Sequence, residues 1–280
     1  MKGKFIVFEG GEFCGKSTMA NMLYDRLKSN GYDVILTREP GGTKAGEDIR
    51  KILKSHNLKA FTKLYLNLAA REEHLHNVII PALNDGKIVI CDRYFLSTYV
   101  YQSIEGIPKE IIAKYKPEIT PDLTIVLDID PKISIKRSKS RAELDNNDLK
   151  DISFHEKVRD EYLSINHPKV QFVDANNPVS KVFDDVLGLA CNYNIIDAFN
   201  NHIRTINCAI LKEAMLGNYK YEALIKNYNS KLMNRIAEIY KSLGFTIGIN
   251  INIISISWYS PKPSDGVFSA MDVKLFTDNH

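Results

Sequence analysis

A glycine-rich loop near the start of the chain sets the strongest limit on its fold. Lys4–Glu9 is a short run rich in Phe, Ile and Val. Gly10-Gly11-Glu12-Phe13-Cys14-Gly15-Lys16-Ser17 follows it, and a helical pattern runs from Ser17 to Ser29. A buried strand, a GxxxxGK[ST] loop and a helix in that register make a phosphate-binding loop. Glycines let the backbone curl so that successive N–H groups face phosphate oxygens. The helix start aims its positive end at the same anion. Lys16 places a point charge between the β- and γ-phosphates of a nucleoside triphosphate, and Ser17 offers a hydroxyl to Mg²⁺. The expected ATP-binding set is Gly10, Gly11, Glu12, Phe13, Cys14, Gly15, Lys16, Ser17 and Thr18. The motif points to nucleotide binding and leaves the reaction open.

The pattern continues as alternating strands and helices. Asp33–Thr37, Ile88–Cys91, Leu123–Asp128 and Val170–Val173 are further apolar runs without strict alternation, as expected for strands buried on both faces. Helical stretches are expected over Ser17–Ser29, Ala60–Asp85 and Leu149–Ile165. Strands alternating with helices mean βαβ units, hence an α/β fold with a five-stranded parallel sheet flanked by helices. Ligands in such a sheet sit beyond the carboxyl ends of the strands. Two polar segments end there: Thr37-Arg38-Glu39-Pro40-Gly41-Gly42-Thr43 after the second strand and Asp92–Gln102 after the third. Arg137, Lys139 and Arg141 follow the fourth.

The chain has 280 residues and a net charge of +3, too balanced to mark a nucleic-acid or membrane-surface protein by charge. No apolar run approaches the ~20 residues that cross a bilayer, and the N-terminus lacks a signal-peptide pattern. Cys14, Cys91, Cys191 and Cys208 show no paired spacing. They read as free thiols in a reducing cytoplasm. After about residue 195 asparagine becomes frequent. Residues 1–195 are expected to form the nucleotide-binding domain, and 196–280 a small C-terminal α+β appendage. Within the appendage, helices are expected over 196–215 and 221–243. A strand is expected over 246–259 with a bulge at Ile253–Ile254, and a return strand over 267–276.

Taken in order, several motifs resemble the thymidylate kinase family of P-loop nucleoside monophosphate kinases. They are the phosphate loop, Arg38–Thr43, Ala69-Ala70-Arg71 with the later Pro81-Ala82-Leu83, Asp92–Gln102, and the basic stretch from Arg137. The resemblance covers about residues 4–190 and implies a P-loop NTPase fold, phosphoryl transfer from ATP with Mg²⁺ to dTMP, and a homodimer. Carried over residue by residue, it gives Glu12 a place near the acceptor's sugar and phosphate. Asp92 organises Mg²⁺ with Ser17, Arg93 clamps the acceptor phosphate, and Arg50 is a second phosphate-binding arginine. Arg71 bonds the pyrimidine, and Ser97, Thr98 and Tyr101 line base and deoxyribose beside Glu39 and Pro40. Arg137, Lys139 and Arg141 form a cationic lid, so the expected catalytic set is Lys16, Arg93, Glu12 and these three.

The same residues have blander readings. Asp92–Arg93 alone would be an exposed ion pair worth under about 1 kcal/mol. The cations from Arg137 to Arg141 would be a solvated helix face. His74 and His76 sit two apart, on different sides of a helix, and read as surface or packing residues. Leu123–Asp128 ends in an aspartate and could serve an ATPase switch. One departure from the family matters. It commonly carries an aromatic four residues before the base-binding arginine, and this chain has Asn67. Asn67 is expected to face the acceptor pocket and shift base preference towards dUMP or a modified pyrimidine.

Overall fold

The computed structural model describes residues 3–138, 150–193, 195, 206, 220–224, 230–242, 245–250 and 253–257. Its first part runs β1 (Lys4–Glu9), α1 (Lys16–Ser29), β2 (Val34–Arg38), α2 (Lys44–Ser55), α3 (Ala60–His74), α4 (Ile80–Asn84), β3 (Ile88–Asp92), α5 (Phe95–Ile104) and α6 (Lys109–Ala113). Then come β4 (Leu123–Asp128), α7 (Pro131–Ser138), α8 (Ile152–Leu163), β5 (Val170–Asp174) and α9 (Val179–Asn192). The strands pair in the order β2-β3-β1-β4-β5, all parallel.

Alternation along the strands divides the core between two faces. Ile6 and Phe8 of β1 pack with Leu23 and Leu27 of α1 and Val182 and Val186 of α9. Phe5 and Val7 point the other way, against Leu64 of α3 and Phe95 of α5. A smaller cluster joins Val126 to Val100 and Tyr101 of α5 and Val158 and Tyr162 of α8. With helices on both faces, every strand tip that carries polar residues points to one edge.

The expected helix over 60–85 is broken by one π-turn, Leu75–Ile79. Ile80 N–H reaches back to the Leu75 carbonyl, and Pro81 has no N–H to continue the regular ladder. The helix expected from Leu149 starts at Ile152, where Asp151 caps it by accepting from Phe154 N–H at 3.0 Å.

The chain separates into two compact units, Met1–Ile196 and Asp197–His280. The second contains β6 (Lys220–Leu224), α10 (Ser230–Ser242), β7 (Thr246–Asn250) and β8 (Ile253–Ser257), an antiparallel sheet ordered β6-β8-β7. Two expectations are corrected here. Lys220–Leu224 is a strand paired with β8, so the helix expected from 221 begins at Ser230. The Ile-rich run is two antiparallel strands: Asn250 pairs with Ile253 and Thr246 with Ser257, so Ile253–Ile254 lies in regular pairing, without a bulge among the described residues. Its Ile256 is buried, as are Ile236, Ala237 and Tyr240 of α10. The return strand over 267–276 lies outside the described residues, as does the helix over 196–215 apart from Ile206, which is helical.

Candidate active site

The loop after β1 needs its glycines. Gly10 has φ +135°, and a Cβ there would meet the Leu127 carbonyl oxygen at 2.6 Å. Gly15, at φ +100°, opens α1 with no side-chain cap, so the first-turn N–H groups are left for a ligand. Lys16 Nζ curls over the loop, donating to the carbonyls of Gly11 at 2.6 Å and Gly10 at 3.2 Å. Ser17 Oγ, one residue on, donates to Asp92 Oδ2 at 2.5 Å, which ties the helix start to the tip of β3.

Arg93 adopts φ +72°, a left-handed conformation costing a non-glycine residue roughly 1–2 kcal/mol. The turn aims its guanidinium back across the sheet. Nη2 donates to Glu12 Oε2 at 2.7 Å, and Nη1 to Ser97 Oγ at 3.0 Å. Tyr101 Oη donates to the other Glu12 oxygen at 2.9 Å. Burial by itself would raise the Glu12 carboxyl, but the charges of Arg93 and Lys16 and the Tyr101 hydrogen bond outweigh it and hold it at about 2. Burial likewise works against the Arg93 charge, and Glu12 overcomes it, so the guanidinium stays protonated. Asp92–Arg93 is therefore no surface pair: Arg93 bonds Glu12 and Asp92 bonds Ser17.

Glu39 and Arg71 make the second anchor. Arg71 Nε donates to Glu39 Oε2 at 2.7 Å and Nη2 to Thr98 Oγ1 at 2.9 Å, with both Arg71 and Glu39 buried. Nη1 of Arg71 is shielded from solvent with no partner. A buried donor left bare is costly, and Arg71 is one of the residues that line the cavity described next. His74 holds Glu39 from behind, with Nδ1 3.1 Å from Oε1 and Nε2 2.6 Å from Thr37 Oγ1. His74 is fully buried in this chain of polar contacts, whereas His76 is exposed beside Glu72.

One cavity of about 270 Å³ joins these anchors. Of the expected residues, Glu12, Phe13, Gly15, Lys16, Ser17, Thr18, Glu39, Pro40, Arg50, Asn67, Arg71, Asp92, Arg93, Ser97, Thr98 and Tyr101 line it. Gly10 and Gly11 border a separate small cavity beside β4, and Cys14 is buried under the loop. Arg137 is not brought to the main cavity; it donates to the Ala175 carbonyl at 3.0 Å. Lys139 and Arg141 lie outside the described residues. Asp128, considered above for an ATPase switch, has both oxygens bonded to Arg159 at 2.6 and 2.9 Å.

Sequence reading gave no role to Arg38, Lys63, Gln102 and Glu105, which also line the cavity, although Arg38 and Gln102 lie in the two polar segments at the strand tips. Helical spacing would have found three of them: Lys63 is two turns before Arg71, and Gln102 and Glu105 follow Thr98 at i+4 and i+7. Arg50 is pushed down by burial and by the like charges of Arg38 and Arg93. Two of these cations already have carboxylate partners: Arg38 donates to both Glu47 oxygens, at 3.1 and 2.8 Å, and Arg93 to Glu12.

The thymidylate kinase family model matches residues 8–186. A thymidylate kinase of Caldicellulosiruptor saccharolyticus is 42% identical over 195 residues, covering 66% of this chain and 95% of the relative. Thymidylate kinases of Protochlamydia amoebophila and Ligilactobacillus salivarius are 40% and 38% identical over 205 and 207 residues, covering 66% and 69% of this chain and 91% and 100% of the relatives. The family match ends at residue 186, before the second unit begins. With that match laid over a phosphate loop facing an arginine-lined pocket, the chain belongs to the thymidylate kinase family of ATP-dependent phosphotransferases.

Proposed function

We propose that this chain transfers the γ-phosphoryl group of ATP to dTMP, giving ADP and dTDP for deoxynucleotide synthesis. One observation carries the reading: the phosphate loop with Lys16 and Ser17 lines the same cavity as Arg38, Arg50 and Arg93, which supports a second phosphate held opposite the first.

The acceptor is a phosphate oxygen already ionised near neutral pH, so no general base is needed. Catalysis is alignment with charge stabilisation. Lys16 leaves the Gly10 and Gly11 carbonyls to meet the β- and γ-phosphates. Arg93, braced by Glu12 and Ser97, holds the acceptor phosphate with Arg50. Arg71 Nη1 donates to a base carbonyl, and Thr98 and Tyr101 confine the nucleoside. Ser17 Oγ and Asp92 Oδ2, adjacent hard oxygens at the phosphate loop, suit Mg²⁺, which favours one or two carboxylates completed by substrate phosphates. When bound there the ion would neutralise phosphate charge. Arg137, Lys139 and Arg141 belong in this reading to a cationic lid that closes over the site and excludes water. A cytoplasmic homodimer is part of the same reading. Among the described residues no helix is long and apolar enough to cross a membrane.

A coupled assay for ADP with ATP, Mg²⁺ and dTMP, dUMP or dCMP tests the proposal. ADP release that depends on dTMP supports it. Equal release without any monophosphate points to the ATPase reading, against which the occupied Asp128 already stands.

A further inference from the structure

The acceptor cavity does not end at Arg71. From α3, Lys63, Asn67 and Arg71 reach it at four-residue intervals; from α5, Thr98, Tyr101 and Gln102 do, with Glu105 at the C-cap of that helix. Both sets lie on single helix faces. Eight residues of α3 and seven of α5 each span roughly 10–12 Å, so Lys63 and Glu105 close the end of the cavity remote from Arg93.

That end wall is polar and incomplete. Lys63 Nζ lies 2.5 Å from Glu105 Oε1, with both side chains about four-fifths buried. Glu105 Oε2 is shielded from solvent and has no hydrogen-bond partner. Asn67 Nδ2 donates to the Lys63 carbonyl at 2.9 Å, which leaves its carbonyl oxygen as an acceptor on the same wall. A methyl group brings no donor to either oxygen, and a desolvated carboxylate oxygen without a donor is costly.

We propose that Lys63, Asn67 and Glu105 form a specificity wall that reads a hydrogen-bond donor carried on the pyrimidine ring, so that the site accepts deoxypyrimidine monophosphates with an uncharged hydroxyl-bearing substituent at C5. This rests on the kinase reading above and narrows its acceptor class. The wall works by differential binding: a hydroxyl donates to Glu105 Oε2, which thymine leaves bare, while Lys63 holds the other oxygen, Oε1, in place.

The test is a competition in one tube between dTMP and 5-hydroxymethyl-dUMP, with ATP and Mg²⁺ and both diphosphates quantified by mass spectrometry. The product ratio does not depend on how much enzyme is folded. Wild-type chain is expected to use the hydroxymethyl nucleotide at least as well as dTMP. Glu105→Leu, and Lys63→Met/Glu105→Leu, which leaves no unpaired cation, are expected to move the ratio towards dTMP by roughly 10- to 100-fold, the size of one lost hydrogen bond to a charged group. A wild-type preference for dTMP that both variants leave unchanged overturns the proposal while the kinase reading stands. Phosphorylation of neither nucleotide overturns the kinase reading, and this inference with it.

Discussion

A buried carboxylate normally resists ionisation; Glu12 ionises readily because Arg93, Lys16 and Tyr101 surround it. Its carboxyl lies at about 2 against an ordinary 4.5, so between those values the folded chain binds fewer protons there than the unfolded chain. The stability Glu12 contributes is complete above 4.5 and is lost as pH falls towards 2. Glu9 has the opposite sign. Burial raises its carboxyl, so its contribution is present while it is protonated and fades as pH rises through its folded value. The urea midpoint of the wild type minus that of Glu12→Gln should shrink as pH drops from about 5 to about 2; a flat difference would refute the pairing. Lys16 makes a different prediction. Its hydrogen bonds are to loop carbonyls, so Lys16→Ala should keep a cooperative melt while kcat falls roughly 100- to 1000-fold, as for loss of one charge-stabilising donor. Undiminished turnover would remove the phosphate loop from the mechanism.

Elements bring these residues together through turns that were only partly legible. The turn between β2 and α2 shows why. Its Arg-Glu-Pro-Gly-Gly-Thr string marks a site, but what Gly42 does depends on a residue 32 positions away: at φ +78°, a Cβ on Gly42 would strike the His74 ring at 2.4 Å. His74 supports Glu39, which supports Arg71. Gly42→Ala should therefore destabilise by about 1–3 kcal/mol, as overpacking does, and should raise KM for dTMP more than KM for ATP. Equal changes in both would detach the turn from the acceptor site. Asn67 was legible as cavity-facing from helical spacing once the family resemblance had put Arg71 in the acceptor pocket. Its partner on the Lys63 carbonyl, and the meeting of Lys63 with Glu105 across two helices, were not, because periodicity orders residues within a helix and says nothing of which helix stands opposite. The antiparallel pair of β7 and β8 was misread for a similar reason. A change of alternation phase fits a bulged strand and two separate strands equally, and only strand pairing distinguishes them.

At the scale of the whole molecule, every residue lining the two cavities lies in the first unit, whose core closes within residues 5–195. A chain ending at residue 196 is expected to melt cooperatively and to keep kcat/KM for dTMP within about threefold, since a unit of this size holds a sufficient core. Aggregation or loss of activity on truncation would tie the appendage to folding or assembly.

The sequence by itself determined the phosphate loop, the parallel sheet and the polar segments at its strand tips, because glycine geometry, apolar runs and helix starts are local properties of the chain. Tertiary structure alone decided which charges meet. Arg93 pairs with Glu12 and not with its neighbour Asp92, Asp128 is taken by Arg159, and Glu105 faces Lys63 with one oxygen bare. Electrostatic pairing acts through distance in space, and that distance exists only once the helices have packed on the sheet.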